Sequence, residues 1–244
     1  MIVLFTDFGA GGPYVGQMKA VLLREAPDVP IVDLFADLPP FDPQGAAYLL
    51  AAYGSEFASG TVFLCVIDPG VGGDRRALVA EADGQYYVGP DNGLLAIILR
   101  RATSPRLWDI DWRPERLSSS FHGRDLFAPI AGRLAVGQPP DGSKLSIAEA
   151  ERPEWPDDLP TIVYVDGFGN AMTGLRASTL TARSTLLAGD RKLVRAETFG
   201  AVPEGDAFWY ENANGLAEIA VNKGNAASEL GLAPGSPIEV AGAI

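Results

Sequence analysis

The sequence predicts an α/β protein in two parts: an N-terminal α/β domain with a central, mostly parallel sheet over residues 1–150, and a smaller β-rich domain over residues 151–244. Three observations predict it. Over about the first 135 residues, short β-branched runs alternate with longer amphipathic stretches, the pattern of strands feeding helices. A polar, proline-bearing break follows, in Gln138-Pro139-Pro140-Asp141-Gly142 and again in Arg152-Pro153-Glu154-Trp155-Pro156. Beyond it, short apolar runs sit between Gly, Asn and Pro turns with little helical periodicity.

In chain order, Ile2 to Thr6 reads as a strand, Pro13 to Glu25 as a helix with proline at its start, and Ile31 to Phe35 as a second strand. Asp42 to Ala52 reads as a helix with Asp42 as N-cap and Pro43 in its first turn. Thr61 to Ile67 is apolar almost throughout, which places it centrally in a sheet covered on both faces. Asn92 to Arg101 is expected as a further helix, capped by Asp91 or Asn92. In the second part, Thr161 to Val165, Lys192 to Ala196, Leu216 to Val221 and Ile238 to Val240 read as strands. No internal repeat or low-complexity tract is evident.

Composition narrows the function classes. The chain has 244 residues, 47% of them hydrophobic, enough for a sizeable core. Its net charge of −12, with no basic cluster larger than Arg75-Arg76 or Arg100-Arg101, argues against nucleic-acid binding, which draws its affinity from clustered Lys and Arg. No apolar run approaches the roughly 20 residues that a membrane span needs. The first residues lack the basic and small-residue features of a signal peptide, so a cytoplasmic location is expected. The single cysteine, Cys65, sits inside an apolar strand, which reads as an inert buried thiol. With one imidazole, one buried thiol and otherwise carboxylates, no metal site is expected.

Ligands of parallel α/β sheets bind beyond the carboxyl ends of the strands, so polar residues directly after apolar strands are the first candidates. Asp7 follows one strand and leads into the glycine-rich turn Phe8-Gly9-Ala10-Gly11-Gly12. That spacing matches neither a dinucleotide fingerprint nor a P-loop. Asp68 follows another strand and opens Asp68-Pro69-Gly70-Val71-Gly72-Gly73-Asp74-Arg75-Arg76, a turn whose glycines and proline aim a carboxylate and a guanidinium. The only histidine, His122, stands in Phe121-His122-Gly123-Arg124-Asp125 at the approach to a helix, and its side chain titrates near neutrality. In the second part, Asp166-Gly167-Phe168-Gly169-Asn170 and the stretch from Glu211 to Asn222 supply aromatic faces and amides suited to a purine and an amino-acid head group.

Thr6-Asp7-Phe8-Gly9 with Pro13-Tyr14-Val15-Gly16, Asp68-Pro69-Gly70-Val71-Gly72 with Arg75-Arg76, Val88-Gly89-Pro90-Asp91-Asn92-Gly93-Leu94, Phe121-His122-Gly123-Arg124-Asp125 and Asp166-Gly167-Phe168-Gly169-Asn170 together resemble the S-adenosyl-L-methionine hydroxide adenosyltransferases, relatives of fluorinase and chlorinase. The match runs in order over nearly the whole chain. It implies an α/β domain followed by a β-barrel-like one, and hydrolysis of S-adenosyl-L-methionine at ribose C5′ to adenosine and L-methionine. It implies no metal or redox cofactor, and homotrimers with each active site between neighbouring subunits. Asp68, Arg75 and His122 fall on the water-activating constellation and Asp7 on the ribose-binding aspartate. The role of Arg75 stays open between polarising the water and holding the other two.

The resemblance further places Phe41 along the ligand, Asp166 and Asn212 at the methionine ammonium and carboxylate, and Asn170 and Asn222 at methionine or adenine. Phe8, Val71, Phe121, Gly123 and Phe168 complete the substrate-binding set. Ala213-Asn214 departs from the family pattern, which has a serine there. An imidazole and a carboxylate facing the attack site favour water over a halide, which they would repel. The competing expectations are a halide-dependent, chlorinase-like adenosyltransferase and a non-catalytic sensor of adenosine or S-adenosylmethionine.

Overall fold

The computed structural model describes residues 1–242, which divide into two compact units, Met1–Pro153 and the chain from Glu154 onward. The division falls inside the second proline-bearing stretch. Unit 1 is built on a seven-stranded sheet in the order β2-β1-β3-β5-β4-β6-β7, with β1 Ile2–Thr6, β2 Ile31–Phe35, β3 Val62–Val66, β4 Ala77–Ala82, β5 Gln85–Pro90, β6 Arg106–Ile110 and β7 Gly142–Leu145. The expected parallel arrangement covers β2, β1, β3 and β5. Beyond β5 every pairing is antiparallel, so the sheet as a whole is mixed. The switch has a local cause: Asp83 (φ 49°) and Gly84 (φ 83°) both lie in the left-handed region, the requirement of a tight hairpin, and they fold β5 back on β4.

Helices cover both faces of the parallel half, and β1 and β3 are accordingly buried at every residue. On one face, Ile2, Leu4, Val62, Leu64 and Val66 meet Met18, Val21 and Leu22 of α1 (Pro13–Glu25) and Ile130, Ala131 and Leu134 of α4 (Ala128–Ala135). On the other, Phe5 packs edge-on against Phe35, which meets Tyr53 of α2 (Pro43–Tyr53). Asp42 caps α2 as expected, its carboxylate accepting from Gly45 N at 2.9 Å. The helix expected over 92–101 is shorter: α3 spans Ala96–Arg101. Gly93, at φ 98°, cannot sit in a right-handed helix, and the chain turns there first.

Unit 2 is antiparallel. One sheet runs β12-β13-β9-β8 and the other β11-β10-β14, with β8 Leu159–Val165, β9 Ala171–Arg176, β10 Thr185–Ala188, β11 Arg191–Leu193, β12 Ala207–Glu211, β13 Leu216–Val221 and β14 Glu239–Ala241. Single bridges, Thr161 to Pro237 and Arg195 to Trp209, join the sheets at both edges. The strands thereby form a closed, barrel-like circuit around Ile162, Leu186, Trp209 and Ile219. Buried Trp209 satisfies its indole N–H on Ser184 O at 3.2 Å. A short helix, α5 (Ala226–Leu230), is capped by Asn225 and ends on Gly231.

Candidate active site

Thr6 at the end of β1 pairs with Val66 at the end of β3, so the two aspartates that follow these strands emerge on the same edge of the sheet. Asp68 opens the loop to Arg75, and Gly72 (φ 80°) allows that loop to lie directly on Ser119: a Cβ at 72 would collide with the Ser119 carbonyl oxygen. This close approach brings the 68–75 loop against the segment carrying His122.

There Arg75 bridges the other two. Its Nε donates to Asp68 Oδ1 at 2.9 Å and Oδ2 at 3.1 Å, and Nη2 closes a second, short bond to Oδ2. The same Nη2 lies 3.0 Å from His122 Nδ1. The ion pair is nearly dry, with the Asp68 and Arg75 side chains 5% and 11% exposed, and the guanidinium stacks over the Phe127 ring at 5.1 Å.

One consequence concerns the imidazole proton. A guanidinium has only donors, so His122 Nδ1 accepts, and the neutral ring carries its hydrogen on Nε2. Burial, and then the positive charge of Arg75 with a contribution from Arg113, hold the His122 pKa below its ordinary value; Asp68 and Asp125 oppose them. Near neutral pH the ring is therefore uncharged, with an N–H donor at Nε2.

Asp68 and His122 line a cavity of about 150 Å³ together with Phe8, Tyr14, Val66, Val71, Ser120, Phe121 and Gly123. Phe8, Tyr14 and Phe121 meet pairwise at 5.3–5.9 Å between ring centres. Gly123 is required for close packing: a Cβ there would stand 3.2 Å from Met18 Sδ and 3.4 Å from Phe8 and Val66. Asp125 anchors the loop by accepting from Ser118 N at 2.9 Å while paired with Arg124. Asp7 is not among the residues that line this cavity. Its carboxylate accepts from Phe41 N at 3.2 Å, and burial raises its pKa. Phe41 itself adopts φ 64° and is 75% exposed.

In unit 2, Asp166 Oδ1 accepts from the backbone N–H of Phe168 and of Asn170, each at 2.9 Å, and Asn170 Nδ2 reaches Asp166 Oδ2 at 3.1 Å. This turn holds Phe168 outward, 81% exposed. Asn212 uses its carbonyl oxygen on Asn214 N and Leu216 N, both at 3.0 Å, and its amide N–H on Glu218 at 2.8 Å. Asn222 donates to Val202 O at 2.6 Å.

Two family models match the chain: the SAM hydroxide adenosyltransferase N-terminal domain over residues 2–144 and the C-terminal domain over 160–239. The chain belongs to the S-adenosyl-L-methionine hydroxide adenosyltransferase family. Among its relatives, an (R)-S-adenosyl-L-methionine hydrolase of Thermus thermophilus is 40% identical over 98% of both chains, and one of Salinispora tropica is 34% identical over 96% of this chain and 95% of that protein. A fluorinase of Actinopolyspora mzabensis is more distant, at 24% identity over 98% of this chain and 96% of that one. A solved structure of an uncharacterized conserved protein from Thermotoga maritima superposes with a TM-score of 0.89 at 32% identity, covering 99% of this chain and all of that one.

For this hydroxide adenosyltransferase, Tyr14 and Ser120 join the cavity though neither was an expected substrate-binding residue: Tyr14 stood only within the Pro13-Tyr14-Val15-Gly16 motif, and one serine among three carries no signal of its own. A third residue that did not stand out is Glu218, which lies outside that cavity. It is a buried carboxylate in β13, 2% exposed, held by Tyr210 OH and Asn212, with its pKa raised by burial. Its place in an otherwise apolar strand, Leu216-Ala217-Glu218-Ile219-Ala220-Val221, was the available clue.

Proposed function

We propose that this protein hydrolyses S-adenosyl-L-methionine at ribose C5′, giving adenosine and L-methionine. The observation that carries the reading is the unbroken chain Asp68–Arg75–His122, two members of which face one cavity. The sulfonium is an activated leaving group that departs as a neutral thioether, so the leaving side needs no acid, metal or redox cofactor. Water is the weak partner.

His122 Nε2–H donates to one lone pair of that water and Asp68 accepts its proton. The oxygen–C5′ bond forms as the C5′–S bond breaks, and the proton passes from Asp68 to solvent. Arg75 holds the two groups in register and leaves His122 a donor, so the base is Asp68 alone; sharing the proton abstraction between both residues does not fit an Nδ1 already occupied by a cation. A positioned base contributes roughly 10²–10⁴-fold.

Asp7, whose carboxylate accepts from Phe41 N, is assigned to the ribose hydroxyls, and Phe8, Phe41, Val71, Phe121 and Gly123 to the walls around the nucleoside. Asp166, with Glu218 behind it, supplies the negative charge a methionine ammonium requires, and Phe168, Asn170, Asn212 and Asn222 complete the unit 2 set. The relatives' names specify the (R) sulfonium epimer, which we take as the preferred substrate. The working form is read as a homotrimer with active sites at subunit interfaces, in the cytoplasm; among the described residues no helix is long and apolar enough to cross a membrane.

Incubation of the pure protein with the separate sulfonium epimers, following adenosine and methionine by chromatography, tests the proposal. Adenosine formed faster from the (R) epimer is expected, and no adenosine above a His122→Ala control overturns the reading. Chloride-dependent 5′-chloro-5′-deoxyadenosine marks the halide-transferring alternative, and tight binding without turnover marks the sensor.

A further inference from the structure

The turn at Pro90–Gly93, at the end of β5, touches no part of the cavity, yet it grips both ends of the loop that carries Asp68 and Arg75. Asn92 Nδ2 donates at 2.8 Å to Ile67 O, the carbonyl immediately before Asp68. Its Oδ1 accepts from Leu94 N at 3.2 Å, which fixes the direction of the amide. One residue earlier, Asp91 Oδ2 accepts from Arg76 Nε at 2.8 Å, and Asp91 N donates to Arg76 O at 3.0 Å, the residue immediately after Arg75. Neighbouring residues of one turn thus hold the chain just before Asp68 and just after Arg75.

The grip is itself anchored. Asp91 is largely buried and also accepts from Arg152 Nη2 at 3.3 Å. Arg76 reaches Glu149 Oε1 at 3.1 Å and Glu149 O at 3.0 Å. Between its held ends the loop contains Gly70, Gly72 and Gly73, which leave the unfettered chain many conformations. Within the loop, backbone bonds restrain its middle, Val71 N to Asp68 O and Gly73 N to Gly70 O, beside the side-chain pair of Asp68 and Arg75.

We propose that Asp91 and Asn92 are positioning residues: by clamping the two ends of the 68–76 loop, they set the distance at which Arg75 spans Asp68 and His122. The inference rests on the reading of those three residues as the water-holding group. Displacing reacting groups by about 1 Å costs on the order of 10²-fold in rate, so a clamp acting through backbone carbonyls is felt at the cavity.

The single histidine makes the test direct, because protein labelled with ¹⁵N-histidine reports one imidazole. In the unaltered protein the ring is expected as the Nε2–H tautomer, with its protonation midpoint below the ordinary value. In Asn92→Ala and Asp91→Ala, Arg75 loosens its hold on Nδ1, both tautomers appear, the midpoint rises, and kcat falls about 10- to 100-fold with KM changed less than about 3-fold. Folded variants with unaltered imidazole signals and kcat overturn the proposal, even if their Tm is lower. Should an alanine variant not fold, Asn92→Asp decides by the same criteria, because it keeps the shape and the acceptor for Leu94 N but loses the donor to Ile67 O. If the unaltered protein releases no adenosine, the hydrolase reading falls by itself, while the tautomer and midpoint still test the clamp.

Discussion

The functional residues of the two units are built on opposite plans. In unit 1, Asp68, Arg75 and His122 bond to one another side chain to side chain, nearly dry, and turn a carboxylate and an N–H toward a cavity. In unit 2, Asp166 and Asn212 bond chiefly to the backbone of their own turns, and the Asp166 turn presents the exposed ring of Phe168. The first plan suits a reaction, since oriented dipoles in a dry site need no reorganisation when charge moves. The second suits recognition, where loop shape and an apolar face select a ligand. Changes in the Asp68–Arg75–His122 trio should therefore appear in kcat and changes in the unit 2 turns in KM.

The largest effect is expected at Asp68. Asp68→Asn should lower kcat by about 10³-fold while adenosine affinity, measured by calorimetry, changes less than about 3-fold; His122→Ala should follow the same pattern. Loss of adenosine binding with kcat preserved would erase the contrast between the units.

Arg75→Ala should lower kcat comparably and, by leaving the buried Asp68 unpaired, destabilise the fold by about 3 kcal/mol in chemical denaturation. A stability unchanged by Arg75→Ala would mean that water reaches the pair.

A smaller effect follows from pH. His122 has a lowered pKa in the fold, so the unfolded chain takes up its proton first as pH drops. The stability it contributes is complete above about 6.5, the value of a free imidazole, and is lost as pH falls through the folded value. The acid limb of the kcat profile should lie below that of a free imidazole, since a protonated Nδ1 faces Arg75. A limb above 6.5 would contradict the donor role.

Smallest is Phe168→Ala: a rise in KM of about 3- to 10-fold with kcat and Tm nearly unchanged, since the ring packs on nothing it would leave empty. A drop in kcat there would blur the division of labour.

Much of the parallel half of unit 1 was legible, because β1 up to its terminal Thr6 and all of β3 are apolar and an aspartate follows each within two residues. The hairpin of β4 and β5 was harder to see: Asp83-Gly84 is a strong turn signal, but Glu81 and Gln85 interrupt the apolar alternation beside it. In unit 2, β9 and β12 pair with their sequence neighbours β8 and β13, but their own composition did not declare them as strands. The trio was legible as types after strands, but the Arg75 bond to Nδ1, which fixes the proton on the histidine, depends on a meeting of residues 47 apart in the chain.

The closed circuit of unit 2 also sets an order of events during synthesis. Thr161, near the beginning of the unit, is bridged to Pro237, and β10 waits for β14, so the ring closes only when β14 has left the ribosome. The sheet of unit 1 ends at β7 and is complete long before then. The nascent chain therefore passes through a period with a finished unit 1 sheet and an open barrel, whose unpaired edges are exposed to mispairing until β14 arrives.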